Sequence, residues 1–275
     1  MRPLWKGSIS FGLVNIPVKL IAATETKTIK FRYLHKKCHT PLSYQRRCDR
    51  CDEDVEWEDI VRGYEYEKDR FVIINEEDLE KIPDKQTKTI DIVDFVSLSE
   101  IDPVYFDRTY YLSPDETGTK PYYLLHRAMA ESGKIAVAKI VIRSKQSLAA
   151  VRVYDQALAL ETMFYPDEVR DVNMVPGLGR EPQLHENELK MAQELIKHLA
   201  ARFEPEKYHD QYREALLEVI HAKIRGEDIA APEIPERGKV VDLMEALKAS
   251  IEMTKNVKKK LDTGKKDKKE PAGVS

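Results

Sequence analysis

Cysteine is scarce in this chain, three in 275 residues, too few for the disulfide framework that staples small secreted folds. No apolar run approaches the roughly 18 to 20 residues needed to span a bilayer. The opening stretch carries basic residues but neither a continuous apolar segment nor a small-residue cleavage site, so no secretory leader is expected. These absences point to a cytoplasmic protein. Chemical signatures are thin as well. There is no Walker loop, dinucleotide fingerprint or serine elbow, and with them go the nucleotide-hydrolysing, dehydrogenase and serine-hydrolase classes. Gly177-Leu178-Gly179 lacks the lysine and following helix that a phosphate loop needs. Net charge is also small, −3, which taken alone argues against a polyanionic partner.

The distribution of charge reverses that last inference. Residues 1–50 carry eleven Lys or Arg against two acids, and residues 51–107 carry six against nineteen. The final stretch from Lys255 holds eight lysines against three acids. A chain divided this sharply can set a positive face on a polyanion and keep its outer face negative.

Up to about residue 155 the pattern is that of strands. Gly12 to Leu20 is extended, with Pro17 marking an edge or a bulge because proline cannot donate to a ladder. Residues 28–34 alternate, Ile29, Phe31 and Tyr33 opposing Lys30 and Arg32. Further strands are expected at 71–74, 89–96, 104–112, 135–143 and 148–154, with a helical turn after Asn75 and a helix over 122–132 closed by Gly133. Many short strands with one substantial helix predict a mainly β protein, a barrel or sandwich decorated by helices. Beyond Tyr154 the period becomes helical. Leu189, Ala192, Leu195, Ile196 and Leu199 form one stripe, and Pro205 opens a second helix that ends at Gly226. The expected division is a core over 1–180, a helical arm over 181–226, a Pro-containing linker over 227–237, a helix over 238–254 and a disordered basic tail over 255–275.

The sharpest local motif is His35-x2-Cys38-x9-Cys48-x2-Cys51, which gathers every cysteine of the chain. Paired soft ligands at this spacing predict a structural Zn²⁺ clamp, with His39 as the alternative fourth ligand. Ordinary unligated thiols are the bland alternative. Lys19, Lys30, Arg32, Lys139, Arg143 and Arg152 fall on polar faces of candidate strands, from which long basic side chains reach phosphates without reading bases. Lys258, Lys259 and Lys260 in the tail would add affinity by counterion release. Val240, Leu243, Met244, Leu247 and Ile251 repeat on one helix face that must be covered by this chain or by a partner. The acids from Asp49 to Glu67 keep a metal-dependent nuclease or other DNA-processing enzyme as a second reading. A basic-tailed protein adaptor is a third.

The segment from Arg2 to Val18, RPLWKGSISFGLVNIPV, resembles the opening of bacterial Ku proteins. The resemblance continues through Lys139–Arg143 with Leu148, through Glu161-Thr162-Met163 and Asp167-Glu168-Val169-Arg170, and into residues 241–247 (VDLMEAL). It implies a Ku-type β-barrel core with a bridging excursion, and C-terminal helices. Two such subunits would form a ring-shaped homodimer that threads double-stranded DNA ends irrespective of sequence. The family resemblance further implies a non-enzymatic, nucleoid-associated role in non-homologous end joining, in which the C-terminal part recruits and stimulates an ATP-dependent DNA ligase. The aromatic strand with Tyr105, Phe106, Tyr110 and Tyr111, and the helix from Tyr122 to Met129, are candidates either for the dimer interface or for the barrel's own core.

Overall fold

The computed structural model describes residues 1–81, 88–142, 145–179, 182–227 and 246–253. The chain divides into two compact units, Met1–Met174 and Val175–Ser275.

The first unit opens with β1 (Trp5–Phe11) and β2 (Val14–Ala22), an antiparallel hairpin whose two-residue turn places Gly12 at φ 57°. That left-handed backbone favours glycine. Gly7 is also fixed by space, because a Cβ there would collide with the Lys88 carbonyl and the Trp5 indole. The short hairpin β3 (Arg47–Cys48) and β4 (Glu53–Asp54) follows, then the hairpin β5 (Arg62–Glu67) and β6 (Arg70–Ile74) and the five-residue α1 (Glu76–Glu80). Asp78 accepts the Asn75 backbone N–H at the start of that helix. The chain returns through β7 (Thr89–Val96), β8 (Phe106–Pro114), α2 (Thr119–Ser132), β9 (Ile135–Ile142), β10 (Lys145–Tyr154) and β11 (Ala157–Met163).

Seven of these strands close into a barrel in the order β1-β2-β8-β11-β10-β9-β7, sealed by the parallel pairing of β7 with β1. Closure removes the open sheet edges. Alternate residues point inward, so Ile9, Ile16, Leu20, Ile90, Leu112, Ile140, Val151, Leu158 and Leu160 make one core. Tyr122, Leu125 and Met129 of α2 enter the same cluster. The Tyr122 hydroxyl donates to the Leu112 carbonyl at 2.6 Å and accepts the Leu158 N–H at 2.8 Å. Burial pushes its phenol pKa up. Tyr105 and Phe106 pack on a satellite cluster of Ile135, Ala150 and Met163, and Tyr110 packs on the main core. Tyr105, Phe106, Tyr110, Tyr122 and Met129 therefore serve the barrel itself, while Tyr123 and Leu124 of α2 are exposed.

Several expectations change at this level. The first strand lies ahead of Gly12, and Gly12 and Leu13 form the turn. Pro17 sits in a strand with neighbours on both sides, yet it lies one residue beyond the last β2–β8 pair, Val18↔Pro114. Its carbonyl accepts the Asp115 N–H, so its nitrogen faces the side where the ladder has ended. Residues 28–34 form no ladder beyond the single bridge Leu34↔Pro41, because no second strand lies alongside among the described residues. β11 is a strand that periodicity does not announce, since residues 158–163 are all buried and nothing alternates.

In the second unit, α3 (Glu186–Leu199) and α4 (Gln211–Arg225) are helices with no buried residue. Residues 205–207 form a separate 3₁₀ turn, and α4 begins at Gln211, where the Asp210 side chain accepts the Arg213 N–H. Gly226 ends α4 at φ 73°. Residues 246–253 are helical. No helix among the described residues is long and apolar enough to cross a membrane.

Candidate nucleic-acid interface

The 65-odd residues between β2 and β7 leave the barrel wall and contain two turns of matching design. In the first, the His39 N–H donates to the His35 carbonyl at 2.8 Å, and His39 is left-handed at φ 55°. In the second, the Asp52 N–H donates to the Cys48 carbonyl at 2.8 Å, and Asp52 is left-handed at φ 58°. Each turn thus presents two His or Cys residues three apart, followed by a left-handed residue. His35 and Cys48 take the first position, Cys38 and Cys51 the second, and His39 takes the place occupied by Asp52 in the other turn. The His35 Nδ1 lies 3.0 Å from the Cys38 sulfur. The Cys38 thiol pKa is lowered, chiefly by a hydrogen bond from the Thr40 hydroxyl. That of Cys48 is lowered by the Cys51 backbone N–H first and the Arg50 N–H next, while the Cys51 thiol is raised by its hydrogen bond to Cys48. All three cysteines are free thiols. Each pair is formed, but among the described residues no three His, Cys, Asp or Glu side chains converge on one point. The same holds for the acids between Asp49 and Glu67, which are exposed.

The basic residues separate into groups. Lys139 pairs in register with Leu148, Arg152 with Ala159, Ala159 with Tyr111, Tyr111 with Ile21, and Lys19 stands two residues from Ile21. Lys19, Lys139 and Arg152 therefore share the outer face of the barrel. They are not equally free. Lys19 binds Asp115 at 2.8 Å, which raises the lysine pKa and lowers that of the aspartate. Arg152 sends Nε and a terminal nitrogen to Glu161 at 2.9 and 2.6 Å and lies over Tyr154, which stacks on Tyr111. Its side chain is 25% exposed and that of Glu161 11%. Lys139 is exposed and lies across from Asp91 in register. Lys30 and Arg32 are exposed in the excursion rather than on a sheet. Arg143, Lys258, Lys259 and Lys260 lie outside the described residues, as do Val240, Leu243 and Met244. Leu247 is half-buried and Ile251 is 7% exposed, so part of that stripe is already covered in the free chain. Spacing does not disclose Asp115 or Glu161, because one lies 96 residues from its lysine and the other across a β-hairpin from its arginine.

Much apolar surface is left without cover. On the β5–β6 hairpin Tyr64 faces Val72, and Phe71 and Ile73 occupy the opposite side, the last two 61% and 54% exposed. Trp57 is exposed, with the Arg46 guanidinium 4.6 Å from its ring centre. Phe31 and Tyr33 are exposed, as are Leu189, Ile196 and Leu199 on α3.

The sequence model of the Ku70/Ku80 beta-barrel domain matches residues 10–191. The chain belongs to the Ku family. A relative from Heliobacterium modesticaldum, named non-homologous end joining protein Ku, is 47% identical over 270 residues, 98% of each chain. An archaeal relative of the same name, from Archaeoglobus fulgidus, is 43% identical over 255 residues, 93% of this chain and all of that one. The relative from Symbiobacterium thermophilum is 52% identical over 253 residues, 91% of this chain, which spans 63% of its length. The Ku-type barrel expected from the opening residues is the barrel described above. The matched region also takes in the excursion with its two turns, so both belong to the Ku-family part of the chain.

Proposed function

We propose that the protein binds double-stranded DNA ends without sequence preference, as a ring-shaped homodimer, and acts as a scaffold in non-homologous end joining. The observation that carries the reading is a Ku-family barrel whose excursion, over its described residues 23–81, and whose helices α3 and α4 have little cover of their own. A two-stranded hairpin exposed on both faces is marginal in water, and amphipathic helices with no buried residue need a partner surface. A second copy supplies both by symmetry, as closed two-fold assemblies do. Phosphate contacts from Lys30, Arg32, Lys139 and Arg143 fit binding that reads no bases. Lys19 and Arg152 already hold carboxylates and play a smaller part. In the native protein one Zn²⁺ joins the two matching turns through His35, Cys38, Cys48 and Cys51, fixing the fold of an excursion that has little core. The helix carrying Leu247 contacts an ATP-dependent DNA ligase, and Lys258, Lys259 and Lys260 hold flanking DNA.

The direct functional test is ligation by such an enzyme. The protein should raise the yield of intermolecular joining of linear duplexes and leave the sealing of nicks in a closed circle unchanged. Equal stimulation of both reactions would overturn the reading, since a nick offers no end to thread.

A further inference from the structure

The two mouths of the barrel differ. One is plugged by α2, through Tyr122, Leu125 and Met129. The other lies where β2 ends at Ala22, β9 ends at Ile142 and β10 begins at Lys145, and it opens into a cavity of ≈ 640 Å³. That volume falls in the usual range for small-molecule sites, and barrel mouths commonly hold them.

The inward-facing rows change character as they reach this mouth. Leu158 and Leu160 lead to Thr162 on β11, and Leu112 and Tyr110 lead to Arg108 on β8. On β10, Ser147 and Lys145 pair with the inward Ile140 and Ile142. The floor is apolar, made by Leu4, Leu20, Tyr110 and Ile142, while the rim carries Arg108, Lys145, the carboxylate of Asp107 and several hydroxyls. A β-bulge sets Asp107 and Arg108 opposite the single residue Thr162, a device that re-aims side chains beside functional sites. Thr162 secures the loosened backbone by accepting the Arg108 N–H at 3.1 Å. The nearest carboxylate to the Arg108 guanidinium is Asp107 at 4.0 Å, too long for a forked pair. Glu168 holds Lys145 at 3.0 Å. The hydroxyls of Thr24, Thr26, Thr109 and Ser147 have no hydrogen-bond partner among the described residues.

We propose that this mouth binds an organic phosphate about the size of a mononucleotide, with its phosphate on Arg108 and its flat body on the floor beside Tyr110. A planar guanidinium fork suits a phosphate bidentately, Lys145, already held by Glu168, plays a smaller part, and the free hydroxyls suit the edges of a sugar or base. The same chemistry is offered by a free nucleotide and by the 5′-phosphorylated terminal nucleotide of an overhanging strand.

Calorimetric titration of the full-length protein with deoxyadenosine 5′-monophosphate, inorganic phosphate and deoxyadenosine tests this. The nucleotide should saturate one site per chain, while deoxyadenosine, lacking the phosphate, should bind at least about tenfold more weakly. Arg108→Gln should weaken nucleotide binding by about tenfold, with partial recovery in Arg108→Lys. Ser147→Leu, which removes a hydroxyl and narrows the cavity, should weaken it by about tenfold or more. Arg108 is exposed, so its variants should melt as the parent does and still bind blunt duplex ends, which separates this site from the end-binding reading. If the terminal nucleotide is the natural ligand, a 5′-phosphorylated overhang should bind more tightly than its unphosphorylated twin, and only in the parent. If the free nucleotide is the ligand, the two overhangs should bind alike. Absence of saturable nucleotide binding, or equal binding by the parent, Arg108→Gln and Ser147→Leu, would overturn the proposal.

Discussion

Tyr122 links α2 to two barrel strands through a single buried hydroxyl, which serves the Leu112 carbonyl and the Leu158 N–H together. Tyr122→Phe removes both bonds and strands two backbone groups away from water, so it should cost about 1–3 kcal/mol. Urea unfolding would read this as a lower midpoint with an unchanged slope. A variant as stable as the parent would show that water reaches the site. The thiol turns make a second residue-scale prediction. One zinc per chain should accompany protein purified without chelator. Cys48→Ser and His35→Ala should release it and speed amide exchange over residues 31–57, whereas His39→Ala should retain it. Metal analysis that finds no zinc in the parent would defeat the assignment.

Among elements, β9, with Lys139 on its outer face, and Arg143, which lies outside the described residues, offer the most direct test of where phosphates lie. Lys139→Glu with Arg143→Glu should weaken every duplex alike and reduce the salt slope by about one unit for each phosphate no longer neutralised. Unchanged binding would remove this face from the interface. The barrel was readable from sequence where residue character alternates, as in β7 and in most of β9 and β10, because period two survives there, even though β10 buries Ala149, Ala150 and Val151 in a row. It was not readable in β11. There Ala157-Leu158-Ala159-Leu160-Glu161 offers neither β-branched residues nor alternation, and its glutamate reads as solvent-exposed until Arg152 is found beside it. The alternation at 28–34 is genuine, yet a ladder needs a neighbouring strand, and the described residues supply none. The Cys-x2-Cys spacing was legible. The matched left-handed residues His39 and Asp52, which favour His35 as the partner of Cys38, belong to backbone geometry that spacing does not carry. Lys19 and Arg152 looked like open cations because their carboxylates come from elsewhere in the fold.

For the whole molecule, the hairpin β5–β6 and the stripe on α3 are exposed in one copy, and the proposed closed two-fold ring would cover them. A ring differs from an open basic surface in one measurable respect, since it must be threaded. The central measurement is equilibrium binding of the full-length protein to linear duplex and to covalently closed circular duplex of equal length and sequence, in the same buffer. Phosphate charge is identical in the two, so an open cationic face binds them equally. The account predicts strong binding of the linear form, weak salt-sensitive binding of the circle, and recovery of tight binding once the circle is cut at a single site. Equal affinity for the closed circle and the linear duplex would contradict it.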